Sequence, residues 1–332
     1  MLFENCQETN VTTIPYDSPY EIGNESKAFF SWLNTLIPEQ DNKTPKIHYA
    51  IIDHVTTRHT RQQVIVHRGG AKSTLVCEYL PLYIASLGKY PNFGKVENLI
   101  IFSATIDQAQ EHLANIVDFY EKSPKLQTFL KLTTKGKKKV KVDEIWFTNL
   151  NGDEIVIQAI GAGQSMRGTK KGSTRPQLCI HDDIMTDDIL TSELERKKLH
   201  SWFYSSVARA VDVNHFKQIV IGTPMTQDDV MWNWWQSNKW HTLLLPLVQE
   251  MFTSKEDIVS SWMDRFTPEV IWDDYQEAKS VGALGEYYRE MLLQVTPQET
   301  RVFGDELFKE ISPVDFKKRM HEMNYFTTMD YA

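Results

Sequence analysis

Val66-His67-Arg68-Gly69-Gly70-Ala71-Lys72-Ser73-Thr74 decides how the rest of this chain is read. It follows the apolar run Val64, Ile65, Val66, which has the form of the end of a buried strand, and it precedes a helical pattern. Gly69 and Gly70 let backbone N–H groups converge, and a helix opening near Ser73 points its positive end at an anion. Such a loop cradles phosphates: Lys72 is spaced to reach the β- and γ-phosphates and Ser73 to hold Mg²⁺. Arg68, Gly69, Gly70, Ala71, Lys72, Ser73 and Thr74 are therefore the candidate cradle for ATP. The usual pattern G-x-x-x-x-G-K-[ST] has glycines where this chain has Val66 and Ala71. On the loop alone, a glycine turn before a helix with an exposed lysine stays open as an alternative.

A phosphate loop needs a carboxylate at the end of a neighbouring strand to hold the metal, and a second acid to orient the attacking water. Leu178-Cys179-Ile180-His181-Asp182-Asp183 supplies that pattern. Two adjacent acids repel each other unless a cation lies between them, and a Mg²⁺-nucleotide provides one. Asp182 is assigned to the metal and Asp183 to water positioning or general base, with an acidic pair at a helix N-terminus as the alternative. In Ile221-Gly222-Thr223-Pro224 a strand ends in a small polar residue, so Thr223 is the candidate for sensing the γ-phosphate. Arg167, in Gly163-Gln164-Ser165-Met166-Arg167-Gly168, is a candidate for neutralising charge on a transferring phosphoryl group. Arg68 could act in the same way or tie the loop to the sheet.

The order of patterns is β then α. The spacing predicts a helix over 24–37 stopped by Pro38, a strand at 64–66, a helix over 72–85 and a strand at 99–102. Thr105-x-x-Gln108 is a capping box opening a further helix, with Ala109, Leu113, Ile116, Val117 and Tyr120 inward. Asn151-Gly152 between 145–147 and 155–157 reads as a hairpin, and 178–180 and 219–221 as further short strands. Strands without polar alternation, separated by helices, imply an α/β protein with a largely parallel twisted sheet sandwiched by helices. Helical segments at 268–279 and 284–293 imply a small helical lid subdomain. The expected division is an N-terminal helical segment at 1–45, a nucleotide-binding core at 46–250, a lid and linker at 251–312, and at 313–332 a linker with the first strand of another domain. The tryptophans at 232, 234, 235 and 240 are assigned to packing rather than base stacking.

Composition narrows the function classes. With 332 residues, 41% hydrophobic and 24% charged, the chain can bury a sizeable core and is not of disordered composition. A net charge of -8 argues against a uniformly basic surface but leaves room for a local nucleic-acid patch. Residues 131–141 hold six lysines, and Arg167, Lys170, Lys171 and Arg175 form a second basic group; the lysine run also fits a solvated turn. Cys6, Cys77 and Cys179 lack C-x-x-C spacing, which points to reduced thiols without a metal role. No window approaches 18 apolar residues, so no membrane span is expected.

Taken together, the phosphate loop, S-A-T-I-D-Q-A at 103–109, G-Q-S-M-R-G at 163–168, L-C-I-H-D-D at 178–183 and I-G-T-P-M-T-Q-D-D at 221–229 resemble the large terminase subunit of tailed bacteriophages. The similarity runs from about residue 50 to the C-terminus and includes Tyr287-Tyr288-Arg289-Glu290-Met291-Leu292. The resemblance implies a P-loop NTPase of the additional-strand, catalytic-glutamate type. It implies a homo-oligomeric ring at the portal protein of an empty capsid, in the host cytoplasm, that works with a small terminase subunit. ATP hydrolysis would drive double-stranded DNA inward. Carried over, Lys72 and Ser73 match the phosphate-loop pair, Asp182 and Asp183 the metal and catalytic acids, and Thr223 the coupling motif. Arg167 matches the arginine directed at a neighbouring subunit's nucleotide.

Three departures bear on the resemblance. Ala71 replaces a glycine; Asp183 stands where many members carry glutamate, leaving Asp187 as a fallback base; and 328–332 resembles only the first metal-binding strand of the family's RNase H-like nuclease, so this chain is not expected to cut DNA. Rival readings are a helicase-like translocase, since Ser103-Ala104-Thr105 and the same loop chemistry occur there, and an assembly subunit that binds nucleotide without hydrolysing it.

Overall fold

The computed structural model describes residues 10–37, 43–133, 143–185, 189, 192–223, 229–235, 237 and 239–294. Most of the lysine run, Pro38, Asp187 and the strand expected near 328–332 lie outside the described residues. Residue contacts divide the chain after Val295, so every described residue falls in the first unit.

Nine strands form one sheet among the described residues. They are β1 (Val11–Thr12), β2 (Arg61–Val66), β3 (Asn98–Ser103), β4 (Leu130–Leu132), β5 (Glu144–Asn149), β6 (Glu154–Gly161), β7 (Leu178–Asp182), β8 (Lys217–Gly222) and β9 (His241–Leu245). Their order is β1-β9-β2-β8-β7-β3-β6-β5-β4. Every pairing from β1 to β6 is parallel, and β5 and β4 extend the far edge antiparallel. The hairpin turns at Gly152, whose φ of 83° suits a residue without a Cβ.

The acids do not lie on a strand adjacent to the phosphate-loop strand. β8 is inserted between β2 and β7, so the loop and the acidic strand end are two strands apart. Two elements near the site also escaped the sequence reading. One is β9, inserted between β1 and β2. The other is the helix α2 (Lys46–Val55), which buries Ile47, His48, Ala50, Ile51, Ile52 and Val55 and leaves Lys46, Tyr49, Asp53 and His54 half-buried.

Strand side chains alternate between two cores because the pleat has a period of two. Val64, Val66, Leu99, Ile101, Leu178, Ile180, Ile219 and Ile221 face one helical layer, with α1 (Asn24–Leu36), α2, α3 (Leu80–Leu87) and α4 (Ile106–Lys122). Ile65, Ile100, Phe102, Cys179 and Val220 face the other. There α6 (Glu193–Trp202) and α7 (Val230–Trp235) bring Trp202, Trp234 and Trp235, with Trp240 stacked 4.8 Å from Trp234. The tryptophans therefore serve as packing: Trp234, Trp235 and Trp240 are buried. A short helix, α5 (Pro124–Phe129), leads into β4. A third small core of Leu247, Val248, Phe252, Ile258, Ile271, Tyr287 and Leu292 gathers around α8 (Pro268–Val281) and α9 (Leu284–Glu290).

The helix after the loop is not uniformly α. Thr74–Tyr79 is wound as a π-helix before α3, with Leu80 N–H bonding Leu75 O, five residues back. Pro81 has no N–H to give to an α-type ladder, and the wider turn lies where that donor would be missing. α4 opens with the expected reciprocal capping box of Thr105 and Gln108.

α1 is capped from a distance. Its N-cap, Gly23, has no side chain to offer, and Asp53 of α2 accepts hydrogen bonds from Gly23 N–H at 2.9 Å, Ser26 N–H at 3.3 Å and Tyr20 Oη at 2.9 Å. Replacing Asp53 by alanine leaves these donors unpaired at a helix N-terminus, so Asp53→Ala is expected to lose about 2 kcal/mol. Urea unfolding of the variant checks this, and Asp53→Asn should recover part of the loss.

Candidate nucleotide-binding site

The loop leaves β2 at Val66 and turns on Gly69, with φ 78°, and Ala71, with φ 59°. Ala71 thus occupies the left-handed region in which a glycine costs nothing, which is why the usual pattern has glycine there. Gly70 is needed for close approach: a Cβ on it would lie 2.4 Å from Val66 Cγ1. Two histidines fasten the turn, His67 from within the loop and His48 from α2. Burial holds His48 and His67 near a pKa of about 4, so both rings are neutral. His48 Nε2–H donates to Gly70 O at 3.2 Å; His67 Nδ1–H donates to Arg68 O at 2.8 Å, leaving Nε2 to accept from Ser261 Oγ at 2.9 Å. Two loop carbonyls are thereby engaged by histidine rings.

The loop and the acids meet. Lys72 Nζ donates to Asp183 Oδ2 at 2.8 Å, and Ser73 Oγ donates to Asp182 Oδ1 at 2.9 Å. The Lys72 side chain is only 13% exposed whereas that of Asp183 is 51% exposed, so the ammonium is sunk in the protein and the carboxylate is half exposed. Burial disfavours the ammonium, but Asp183 and Asp182 outweigh it and hold the Lys72 pKa above its ordinary value. Although half of the Asp183 side chain stays accessible, the protein packed around its carboxyl desolvates it enough to raise its pKa, while Lys72 pulls it back. Asp183 also has φ 41°, and its N–H donates to Ile221 O at 3.1 Å. A Cβ on Gly222 would come 2.9 Å from Asp183 Oδ1 and 2.8 Å from Met231 Sδ, so a side chain there would displace the Asp183 carboxylate or Met231.

Thr223 closes the row of strand ends: its Oγ1 donates to Val66 O at 3.1 Å, across from β8 to β2. Thr74 is the first residue of the π-helical stretch. Arg68 is tied to α9 instead of the sheet. Its Nη1 lies 2.6 Å from Glu290 Oε2, and its N–H bonds Glu290 O at 3.0 Å. Arg167 is exposed on the segment after β6; its backbone N–H bonds Ser165 Oγ, and its guanidinium forms no ion pair among the described residues. It is not gathered with Lys72 and the acids within this chain.

Two residues behind Asp182 had no local signal in the sequence. His112, from α4, places Nε2 2.9 Å from Asp182 Oδ2 and Nδ1 3.2 Å from Glu78 Oε1. Burial alone would lower its pKa, but the hydrogen bonds and charges of Asp182 and Glu78 prevail and raise it to about 9. Cys77 stands beside them: donor atoms of Cys77, His112 and Asp182 all lie within 4.8 Å of one another. Burial, with the neighbouring Asp182 and Glu78 charges, pushes the Cys77 thiol well up, so without a metal it stays protonated. The adjacent oxygens of Ser73 and Asp182 are a hard donor pair, of the kind that suits Mg²⁺ with a nucleotide.

A glycine-bearing loop after one strand, acids at the end of another and an additional strand between them define the P-loop NTPase class of α/β fold. No protein-family model and no curated protein sequence matches the chain. Among solved structures, it is similar to the large terminase ATPase domain of Thermus phage P74-26. One crystal structure of that domain aligns at a TM-score of 0.50 with 12% identity, covering 84% of this chain and all of that one. A point variant of the same domain aligns at 0.51 with 10% identity, covering 76% of this chain and 95% of that one. At this identity the likeness is one of fold. A DEAD-box helicase bound to single-stranded RNA aligns at 0.43 with 11% identity, over 72% of this chain and 48% of its own length. No described helix is long and apolar enough to cross a membrane.

The strained alanine gives a direct test of the loop. Ala71→Gly should relieve about 1–2 kcal/mol of left-handed strain, offset by about 0.4–1 kcal/mol of added freedom in the unfolded chain, and so raise stability slightly. Ala71→Val, β-branched at positive φ, should lower it and weaken binding of an ATP analogue. Thermal melting and a nucleotide titration measure both.

Proposed function

We propose that this chain is the ATP-hydrolysing motor of viral DNA packaging, translocating double-stranded DNA into a procapsid. In this reading it works in the host cytoplasm, as a homo-oligomeric ring on a portal protein with a small terminase subunit. The observation that carries the enzymatic part is the double tie between loop and acids, Lys72 to Asp183 and Ser73 to Asp182. The packaging part is supported by the shared fold and by the sequence resemblance.

The residues divide the work by charge. ATP brings a polyanion to the loop, where backbone N–H groups of 69–74 and the Lys72 ammonium receive it, and Lys72 exchanges its carboxylate partner for phosphate oxygens. That exchange frees Asp183 to orient the attacking water and take its proton. Mg²⁺ held by Ser73 and Asp182 would supply charge neutralisation at the β- and γ-phosphates. Thr223, bonded to the first carbonyl of the loop, is placed to feel loss of the γ-phosphate and pass it along β8. Arg68 and Glu290 join the same loop to the helical subdomain. Arg167, exposed and apart from its own subunit's acids, fits service to a neighbour's nucleotide.

Steady-state ATP turnover, with and without double-stranded DNA, tests the assignment. Lys72→Ala should abolish turnover and weaken nucleotide binding. Asp183→Asn should keep binding and lose about 10²- to 10⁴-fold in turnover. Hydrolysis persisting in either variant would sink the site. The role of Arg167 separates by concentration: Arg167→Ala should depress the turnover of assembled protein yet leave nucleotide binding by dilute monomer unchanged, and equal loss of both in the monomer would place Arg167 in its own pocket.

A further inference from the structure

The carboxylate of Asp182 is held at both ends. Oδ1 accepts from Ser73 at 2.9 Å, and Oδ2 lies 2.9 Å from His112 Nε2. His112 is itself anchored, since its Nδ1 meets Glu78 Oε1 at 3.2 Å and the same oxygen accepts from Asn115 Nδ2 at 2.9 Å. The result is a chain of side chains, Ser73-Asp182-His112-Glu78-Asn115, that starts on the loop helix, crosses the end of β7 and returns through α4 to the π-helical stretch carrying Glu78. Its central members are sheltered: the side chains of His112 and Glu78 are each 13% exposed and that of Asp182 is 8% exposed. A lone exposed aspartate could turn about its side-chain bonds, but one pinned at both oxygens cannot.

We propose that His112 is a positioning residue for the metal site: it fixes the orientation of Asp182 so that Oδ1, beside the Ser73 hydroxyl, is presented to the nucleotide-bound divalent cation. This rests on the nucleotide-binding reading of the loop. His112 touches neither substrate nor ion; it acts by clamping the far oxygen of a ligand, with Glu78 and Asn115 setting its ring. Loss of such an outer partner costs metal affinity because the ligand must then be ordered by the ion itself.

The test is metal binding, measured apart from activity. Mn²⁺ is titrated by electron paramagnetic resonance into the full chain saturated with a non-hydrolysable ATP analogue, and analogue affinity is measured separately in EDTA. In His112→Ala the Mn²⁺ dissociation constant should rise about 10- to 100-fold while metal-free analogue affinity stays unchanged. In His112→Gln, whose amide N–H can reach the same oxygen, it should return to within a few-fold of the parent. Unchanged Mn²⁺ affinity in a folded His112→Ala, an equal loss in both variants, or a matching fall in metal-free analogue binding would each overturn the positioning role. If the parent chain itself bound neither analogue nor Mn²⁺, the nucleotide-binding reading would fall and this inference with it.

Discussion

The register of three parallel strands is the constraint on which the site depends. Ile65 of β2 pairs with Gly222 of β8, and Ile221 of β8 pairs with Asp182 of β7, so the three strands finish at one level. Only in that register can a lysine after β2 reach over the end of β8 to an acid after β7. A slip of one residue would reverse which side chains face each core and carry Asp182 to the other side of the sheet. The two apolar layers, which bury alternate residues of the same strands, therefore fix the chemistry as well as the fold.

The additional strand gives the geometry its sensitivity. Because β8 separates the loop from the acids, its end contacts both: Thr223 bonds Val66 O, and Ile221 O accepts from Asp183 N–H. Gly222 allows this by leaving no side chain where Asp183 and Met231 converge. A change in the loop can reach the acids through contiguous contacts a few residues long. The segment after β9 is coupled to the same loop through the Arg68 and Glu290 pair and through Ser261, which donates to the neutral ring of His67.

Electrostatics explains why the arrangement holds with two acids side by side. Asp182 and Asp183 are not both left bare: one is hydrogen-bonded by Ser73 and His112, the other paired with Lys72. Protein cations and donors thus occupy positions from which a bound magnesium-nucleotide can take over part of the compensation. Ala71, held at φ 59°, shows that the loop keeps its conformation against local preference, because the surrounding hydrogen bonds and packing outweigh about 1–2 kcal/mol of strain.

Much of this was legible in the order of residues. The strands at 64–66, 99–102, 178–180 and 219–221 announced themselves as short apolar runs, and Thr105 with Gln108 and Asn151 with Gly152 as local capping and turn chemistry, because those signals act between residues near in sequence. The loop lysine and the acidic strand end were likewise readable by residue type. Tertiary structure alone decided that β8 and not β7 adjoins the loop strand, that β9 enters beside it, and that α2, buried at most of its positions, is a helix. It alone brought His112 to Asp182 across 70 residues, Asp53 to the N-terminus of α1 and Glu290 to Arg68. Strand order and long-range side-chain pairing follow from how two layers bury their apolar faces together, and no local pattern records that outcome.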